Sequence, residues 1–245
     1  MTVTDLFAGI GGFALGFAAA GYQIIEHSEV DDYCCGVYER HFPGSRQLGD
    51  IRGIQTVSGD IITAAPPCQP ISLAGKRRGH NDERFLWGEL LRVVNASQAR
   101  WLVCENPIGL LSVRDRGIDW ICDAIEAIGY EVNTYDIPAY TVGAPQNRRR
   151  LWIMAHAPGK RFPRQLKDQE PARTAPKPVP PLLPFDFPPG PRNVGEIPIA
   201  ADGLPPRLSG WRDKVKATGN TIVPQIAFLL ARAIRECETF YEVNK

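Results

Sequence analysis

The chain has 245 residues, of which 44% are hydrophobic and 22% charged, with 28 Lys and Arg against 27 Asp and Glu for a net charge of +1. That composition supports one globular domain with a substantial core, plus at most a small appendage, and excludes a chain disordered throughout. No run of 18 uncharged apolar residues occurs, the start MTVTDLF lacks signal-peptide features, and Cys34, Cys35, Cys68, Cys104, Cys122 and Cys237 form no CxxC pair or zinc-spaced cluster; the expectation is a cytoplasmic protein with reduced thiols, no membrane span and no metal.

In chain order, short runs rich in Val, Ile and aromatics predict strands at 2 to 8, 23 to 27, 60 to 65, 101 to 104, 130 to 138 and 150 to 155. Segments of helical period at about 12 to 20, 31 to 41, 86 to 96 and 116 to 128 lie between them. Alternation of this kind predicts an α/β fold: a mostly parallel sheet with helices on both faces and ligands at the carboxyl ends of the strands. From Pro158 to Pro206 the chain carries 14 of its 22 prolines. Proline fixes φ and removes a donor, so this stretch reads as extended or as a small irregular subdomain. Residues 222 to 238 then return to helical spacing, with Pro224 in the first turn, and this helix is expected to pack back on the sheet.

The near-zero net charge conceals an uneven distribution: residues 1 to 65 sum to −5 and residues 146 to 245 to +8. The basic segment is either a set of solvated surface charges or the face that meets a polyanion.

Five segments carry chemistry. DLFAGIGGFALGF, residues 5 to 17, is a strand, a glycine turn and a helix, as in nucleotide-binding crossover units, although G-x-G-G is not the full dinucleotide fingerprint. Glu29 follows about 20 residues later at a strand end, where a carboxylate can accept ribose hydroxyls or simply face solvent. PPCQP places Cys68 at the carboxyl end of the third run, in a turn stiffened by Pro66, Pro67 and Pro70, as suits a fixed nucleophile better than core filling. The next segment, SLAGKRRGHNDERF, brings Lys76, Arg77, Arg78 and Arg84 and reads as a mobile basic loop beside the thiol. WLVCENP ends a strand in Glu105 and Asn106, a carboxylate suited to proton donation or to a ring nitrogen, with a turn-forming role as the other reading. In PQNRRRLWIMA, strand alternation puts Gln146, Arg148 and Arg150 on one face and Arg149 on the other. TGNTIVPQIA presents Gly219 and Asn220 before the last helix.

Together and in this order these segments resemble the DNA cytosine-5 methyltransferase family, over residues 1 to 156 and about 204 to 238. FAGIGG is similar to its first motif, PPCQP to its catalytic turn, Glu105-Asn106 to its Glu-Asn pair, Gln146-x-Arg148-x-Arg150 to its Gln-x-Arg-x-Arg motif and Gly219-Asn220 to its last motif. The resemblance implies a Rossmann-like sheet that uses S-adenosylmethionine, releases S-adenosylhomocysteine and needs no metal. It implies a catalytic domain over 1 to 156, a reduced proline-rich target-recognition region over 157 to 206, and a segment 207 to 245 returning to the catalytic domain. It also implies methyl transfer to carbon 5 of a cytosine flipped out of double-stranded DNA, by a monomer. In that scheme Cys68 adds to carbon 6, Glu105 contacts nitrogen 3 and the exocyclic amine, Arg150 holds oxygen 2, and Arg148 lies near the catalytic loop and the DNA backbone. Matching positions assign Phe7, Gly9, Ile10 and Gly12 to the methionine part of the cofactor and Glu29 to its ribose. Asp50 and Ile51 go to the adenine, and Pro67, Leu86 and Asn220 complete the pocket. Gln69, Ser72, Lys76, Arg77, Arg78, Arg84 and Gln146 fall on the nucleic-acid side.

The chain departs from the family in Pro107, where Val is commoner, in Pro66, where an aromatic is common, and above all between Arg150 and Gly219. Only about fifty proline-rich residues separate Pro158 from Arg207, where relatives carry one to two hundred, so short or relaxed sequence recognition is expected, as for a phage-type or solitary modification enzyme, with or without a restriction partner. Three alternatives stand beside this reading. A subgroup acting on transfer RNA shares Pro-Pro-Cys, but its Cys-Phe-Thr segment is not found here. A non-catalytic nucleic-acid-binding relative is opposed by the presence of every expected reacting side chain, and a nicotinamide oxidoreductase by PPCQP and the arginine strand.

Overall fold

The computed structural model describes residues 1–67, 86–97, 99–113, 117–144, 147–157 and 221–243. The strands are β1 (Thr2–Leu6), β2 (Gln23–Ser28), β3 (Arg46–Gln47), β4 (Ile61–Ala64), β5 (Trp101–Pro107), β6 (Glu131–Pro138) and β7 (Arg149–His156). The helices are α1 (Gly12–Ala19), α2 (Asp32–His41), α3 (Trp87–Ser97), α4 (Ile118–Ala127) and α5 (Pro224–Val243). Every strand and helix expected within the described residues is present, with ends displaced by a few residues at most, except at the end of α5. The two-residue β3 is additional, because a pair such as Arg46–Gln47 is too short to show a period.

The strands form one sheet in the order β3-β2-β1-β4-β5-β7-β6. The first five are mutually parallel, whereas β7 runs antiparallel to both β5 and β6. The expectation of a mostly parallel sheet therefore holds up to β5. Residues 139 to 148, which join β6 to β7, are too few to span a parallel crossover, which needs a dozen or more; among the described ones lies the short 3-10 turn Ala139–Val142.

Alternation along the strands divides the core into two layers. Val3, Ile61, Trp101, Val103, Trp152 and Met154 face α1 and α5, with Phe13, Phe17, Ile226 and Ile234. Ile62, Leu102, Cys104, Leu151 and Ile153 face α3 and α4, with Trp87, Leu90, Ile121 and Ile125. Helices on both faces of such a sheet leave its strand ends as the open edge.

Helix α5 returns to the start of the chain by close packing. A Cβ on Gly16 would lie 2.5 Å from the Pro224 carbonyl oxygen and 2.6 Å from Ala227 Cβ, so only glycine permits this approach of α1 to α5. At the far end of α5, buried Glu238 accepts from Trp101 Nε1 at 2.8 Å and pairs with Arg100, fixing the helix to the beginning of β5. Tyr22 donates its hydroxyl to the Ala231 carbonyl at 3.0 Å. Among the described residues no helix is long and apolar enough to cross a membrane.

Candidate active site at the strand ends

The carboxyl ends of β1, β2, β4 and β5 and the start of antiparallel β7 meet along one edge of the sheet, around a cleft of about 630 Å³. From β1 and α1 come Phe7, Gly9 and Gly12, from the end of β2 Glu29, from the turn after β3 Asp50 and Ile51, and from the turn after β4 Pro66 and Pro67. Leu86, Glu105, Arg148 and Arg150 close the opposite side. Residues assigned to the cofactor and to the reacting base thus share one cavity. Ile10 stands in the glycine turn but outside the lining residues.

The turn after β1 is conformationally demanding. Phe7 adopts φ +54°, a left-handed conformation that costs a non-glycine residue on the order of 1–2 kcal/mol, and Gly9 and Gly11 follow at +54° and +89°. Backbone bonds hold the strained turn in place: Ala8 N–H to the Ser28 carbonyl at 3.0 Å and Gly11 N–H to the Ala8 carbonyl at 2.9 Å. Beneath it lies Asp5, fully buried, whose carboxylate accepts from Thr63 Oγ1 at 2.7 Å and from the Tyr38 hydroxyl at 3.4 Å. Burial pushes the Asp5 carboxyl up to about 7, against the pull of these hydrogen bonds.

Glu29 is oriented by three backbone donors: Gly9 N–H at 2.7 Å, Val30 N–H at 2.8 Å and Asp31 N–H at 2.9 Å. Those bonds use three of its roughly four lone-pair positions, so accepting two hydroxyls requires one backbone bond to be shared or exchanged. Asp50 accepts from Arg52, Nε at 3.0 Å and Nη2 at 2.5 Å, and these bonds hold its carboxyl below the usual range. The pair is well exposed, with Arg52 62% accessible, so its net strength is on the order of 1 kcal/mol or less and a competing donor can displace it.

Across the cleft, buried Glu105 pairs with partly buried Arg150, Oε1 to Nε 2.6 Å, with the two side chains 6% and 20% exposed. The contact is close in distance but poorly aligned, and Glu105 Oε1 makes no geometrically good hydrogen bond among the described residues. Burial raises the Glu105 carboxyl, and the charges of Arg150 and Arg148 oppose it. Register explains the meeting: Glu105 lies opposite Trp152 and Pro107 opposite Arg150, which puts Glu105 and Arg150 on the same face of adjacent strands. Arg149 points away and pairs with Asp136 on β6. The Asn106 amide donates to the Pro66 carbonyl at 3.4 Å, which links the end of β5 to the proline turn preceding Cys68.

Residues 1–186 match the family model described as C-5 cytosine-specific DNA methylase. The chain belongs to that family. It is 37% identical over 156 residues to the Type II methyltransferase M.HgiCII of Herpetosiphon aurantiacus, an alignment covering 61% of this chain and 36% of that protein. It is 35% identical over 164 residues to M.BsuFI of Bacillus subtilis, covering 64% and 40%. The matched segment thus spans two fifths or less of the length of these relatives. Among solved structures, a triply substituted form of DNMT2 from Spodoptera frugiperda superposes with a TM-score of 0.54 at 23% identity, over 66% of this chain and 51% of that one. The seven-stranded architecture is the Rossmann-like fold of these methyltransferases.

In this methylase-family chain, Cys68, Gln69, Ser72, Lys76, Arg77, Arg78, Arg84, Gln146 and Asn220 lie outside the described residues, as does the proline-rich region from Pro158. Sequence reasoning missed several cleft residues, namely Ser28, Val30, Asp31, Cys34, Arg52 and Thr221. Val30 and Asp31 had a signal, since they directly follow Glu29 at a strand end, and Val30 is an apolar side chain 68% exposed on the cleft rim. Arg52 also had a signal, since it directly follows Asp50 and Ile51 and pairs with Asp50, whereas nothing local marks out Cys34 in the first turn of α2.

Proposed function

We propose that the chain transfers a methyl group from S-adenosylmethionine to carbon 5 of a cytosine flipped out of double-stranded DNA, through a transient bond between Cys68 and carbon 6. The observation that carries this reading is the pair of buried Glu105 and partly buried Arg150, in one cleft with the glycine turn and beside the proline turn that leads into Cys68. A cytosine edge presents an acceptor oxygen, an acceptor nitrogen and an amine donor. A guanidinium beside a carboxyl whose affinity for protons is raised by burial offers the complement.

The cofactor half fits a cationic, ribose-bearing donor. Glu29, Asp31 and Asp50 supply negative charge and acceptors, Phe7, Val30 and Ile51 supply apolar surface, and the volume is that of a small-molecule site. When bound, S-adenosylmethionine supplies an electrophilic methyl group on a sulfonium. The chain's own residues do the rest. The Cys68 thiolate forms the bond to carbon 6, Glu105 gives a proton or hydrogen bond to nitrogen 3 as negative charge develops, and Arg150 holds oxygen 2. Carbon 5, made enamine-like, takes the methyl group, then loses its proton to a base, and the thiol is expelled. The basic loop 73 to 84 would close over the base, and residues 157 to 206 would serve as a short target-recognition region. The family description supports DNA as the substrate.

Labelled methyl transfer to duplex DNA and to transfer RNA, run in parallel, tests the proposal. Label should enter duplex DNA, and Cys68→Ala should abolish transfer and covalent trapping on 5-fluorocytosine DNA. Glu105→Gln should slow transfer by about 100-fold or more, the usual scale for losing a buried proton donor. Label confined to RNA would end the DNA reading, and wild-type transfer by the Cys68 variant would remove that thiol from the mechanism. Conversion sequencing should show a short or relaxed target; modification confined to one site of six or more base pairs would contradict it.

A further inference from the structure

Arg148 is expected beside the catalytic loop and the DNA backbone, and among the described residues it also reaches the segment that enters α5. Its Nη2 donates to the Thr221 carbonyl oxygen at 2.8 Å, across 73 residues of sequence. Thr221 and Ile222 lead into α5 and lie directly on the glycine turn. A Cβ on Gly12 would come within 2.7 Å of both Thr221 Oγ1 and Ile222 Cγ1. The segment entering α5 is therefore held between two walls of the cleft: Gly12 on the cofactor side, and Arg148 on the side of Glu105 and Arg150.

We propose that Arg148 is a positioning residue that clasps the Thr221–Ile222 segment against the glycine turn, and so sets affinity for the methyl donor from the base side of the cleft. The inference rests on the cofactor reading given above. A half-buried guanidinium bonded to a carbonyl fixes that carbonyl more firmly than a neutral donor would. Arg150, two residues further on, makes the ion pair with Glu105, whose carboxyl also feels the charge of Arg148. Two arginines on one strand face thus divide the work, one holding the base pocket and the other the wall of the cofactor pocket.

The test is calorimetric titration of the full chain with S-adenosylhomocysteine in the absence of DNA, for wild type, Arg148→Met, Arg148→Lys and Arg149→Met. Hydrogen exchange is followed at the amides of Val223, Gln225, Ile226 and Ala227. Arg148→Met should bind about 10- to 100-fold more weakly, as loss of one charged hydrogen bond predicts. Arg148→Lys, which keeps a single donor, should fall between. Arg149→Met, whose side chain points away from the cleft to Asp136, should stay within about twofold of wild type. Exchange should quicken at these amides in Arg148→Met and stay unchanged in β1 and β4. Wild-type affinity together with unchanged exchange in Arg148→Met overturns the clasp while leaving the cofactor reading intact. Failure of the wild type to bind overturns the cofactor reading, and the clasp with it. Should Arg148→Met not fold, Arg148→Lys decides, and affinity equal to wild type refutes the proposal.

Discussion

Two glycines inside helices, Gly16 of α1 and Gly36 of α2, should respond in opposite directions to the same substitution. By intrinsic propensity each Gly→Ala change stabilises by about 0.5–1 kcal/mol. At Gly36 nothing lies within 4 Å of the added Cβ and the position is exposed, so propensity alone should act. At Gly16 the Cβ meets the Pro224 carbonyl oxygen at 2.5 Å, Ala227 Cβ at 2.6 Å and Phe228 N at 2.8 Å. Ordinary contact begins near 3.5 Å, so α1 and α5 would have to separate by roughly 1 Å. The obstacles are mainly backbone, which cannot rotate aside as a side chain tip does. The cost should therefore sit at the upper end of the roughly 1–3 kcal/mol seen for overpacking, leaving Gly16→Ala about 2 kcal/mol less stable after the propensity gain. At roughly 2–4 °C per kcal/mol for a chain of this size, scanning calorimetry should show Tm lowered by about 4–8 °C for Gly16→Ala and raised by about 1–4 °C for Gly36→Ala. Equal shifts of the same sign would refute the argument that close approach of α1 to α5 demands glycine.

Asp5 and Glu238 offer further tests. The folded-state value of about 7 for Asp5 exceeds its ordinary 3.8, so the folded chain holds this proton more tightly than the unfolded one. The associated stability is complete below about pH 4 and is lost as pH rises through about 7, at most roughly 4 kcal/mol in all. Urea unfolding at pH 5 and pH 8 should therefore show wild type losing stability relative to Asp5→Asn, and parallel profiles would contradict it. Glu238→Ala removes the acceptor of the buried Trp101 Nε1 together with the partner of Arg100, and should cost about 1–3 kcal/mol by urea midpoint. Glu238→Gln, which can still accept from the indole, should cost less; equal losses would show that the ion pair rather than the indole bond dominates.

Much of the site was legible in the sequence because strand and helix periods are local. Within a handful of residues, apolar alternation places Glu105 at the end of β5, and it sets Arg148 and Arg150 on one side with Arg149 on the other. The structure bears out that division, since the first two line the cleft and Arg149 pairs with Asp136. The rule that ligands sit at carboxyl ends of parallel strands then gathers Phe7, Glu29, Pro67 and Glu105 along one edge. Cys68, by contrast, is placed by the sequence alone, as the residue following the Pro66-Pro67 turn that lines the cleft.

What the tertiary structure decided lies between elements. No local pattern states that β7 inserts antiparallel between β5 and β6, because strand order depends on connection length and on which edge is open. Nor could local reasoning find that Glu238 anchors α5 to Arg100 and Trp101, that Gly16 admits Pro224 to contact, or that Arg148 reaches Thr221. These contacts join residues more than 70 positions apart, and they form only once each helix has buried its apolar face on the sheet. Sequence by itself determined which side chains stand at the edge of the sheet. Folding decided which of them face each other across the cleft, because distance in space is set by packed layers and not by separation along the chain.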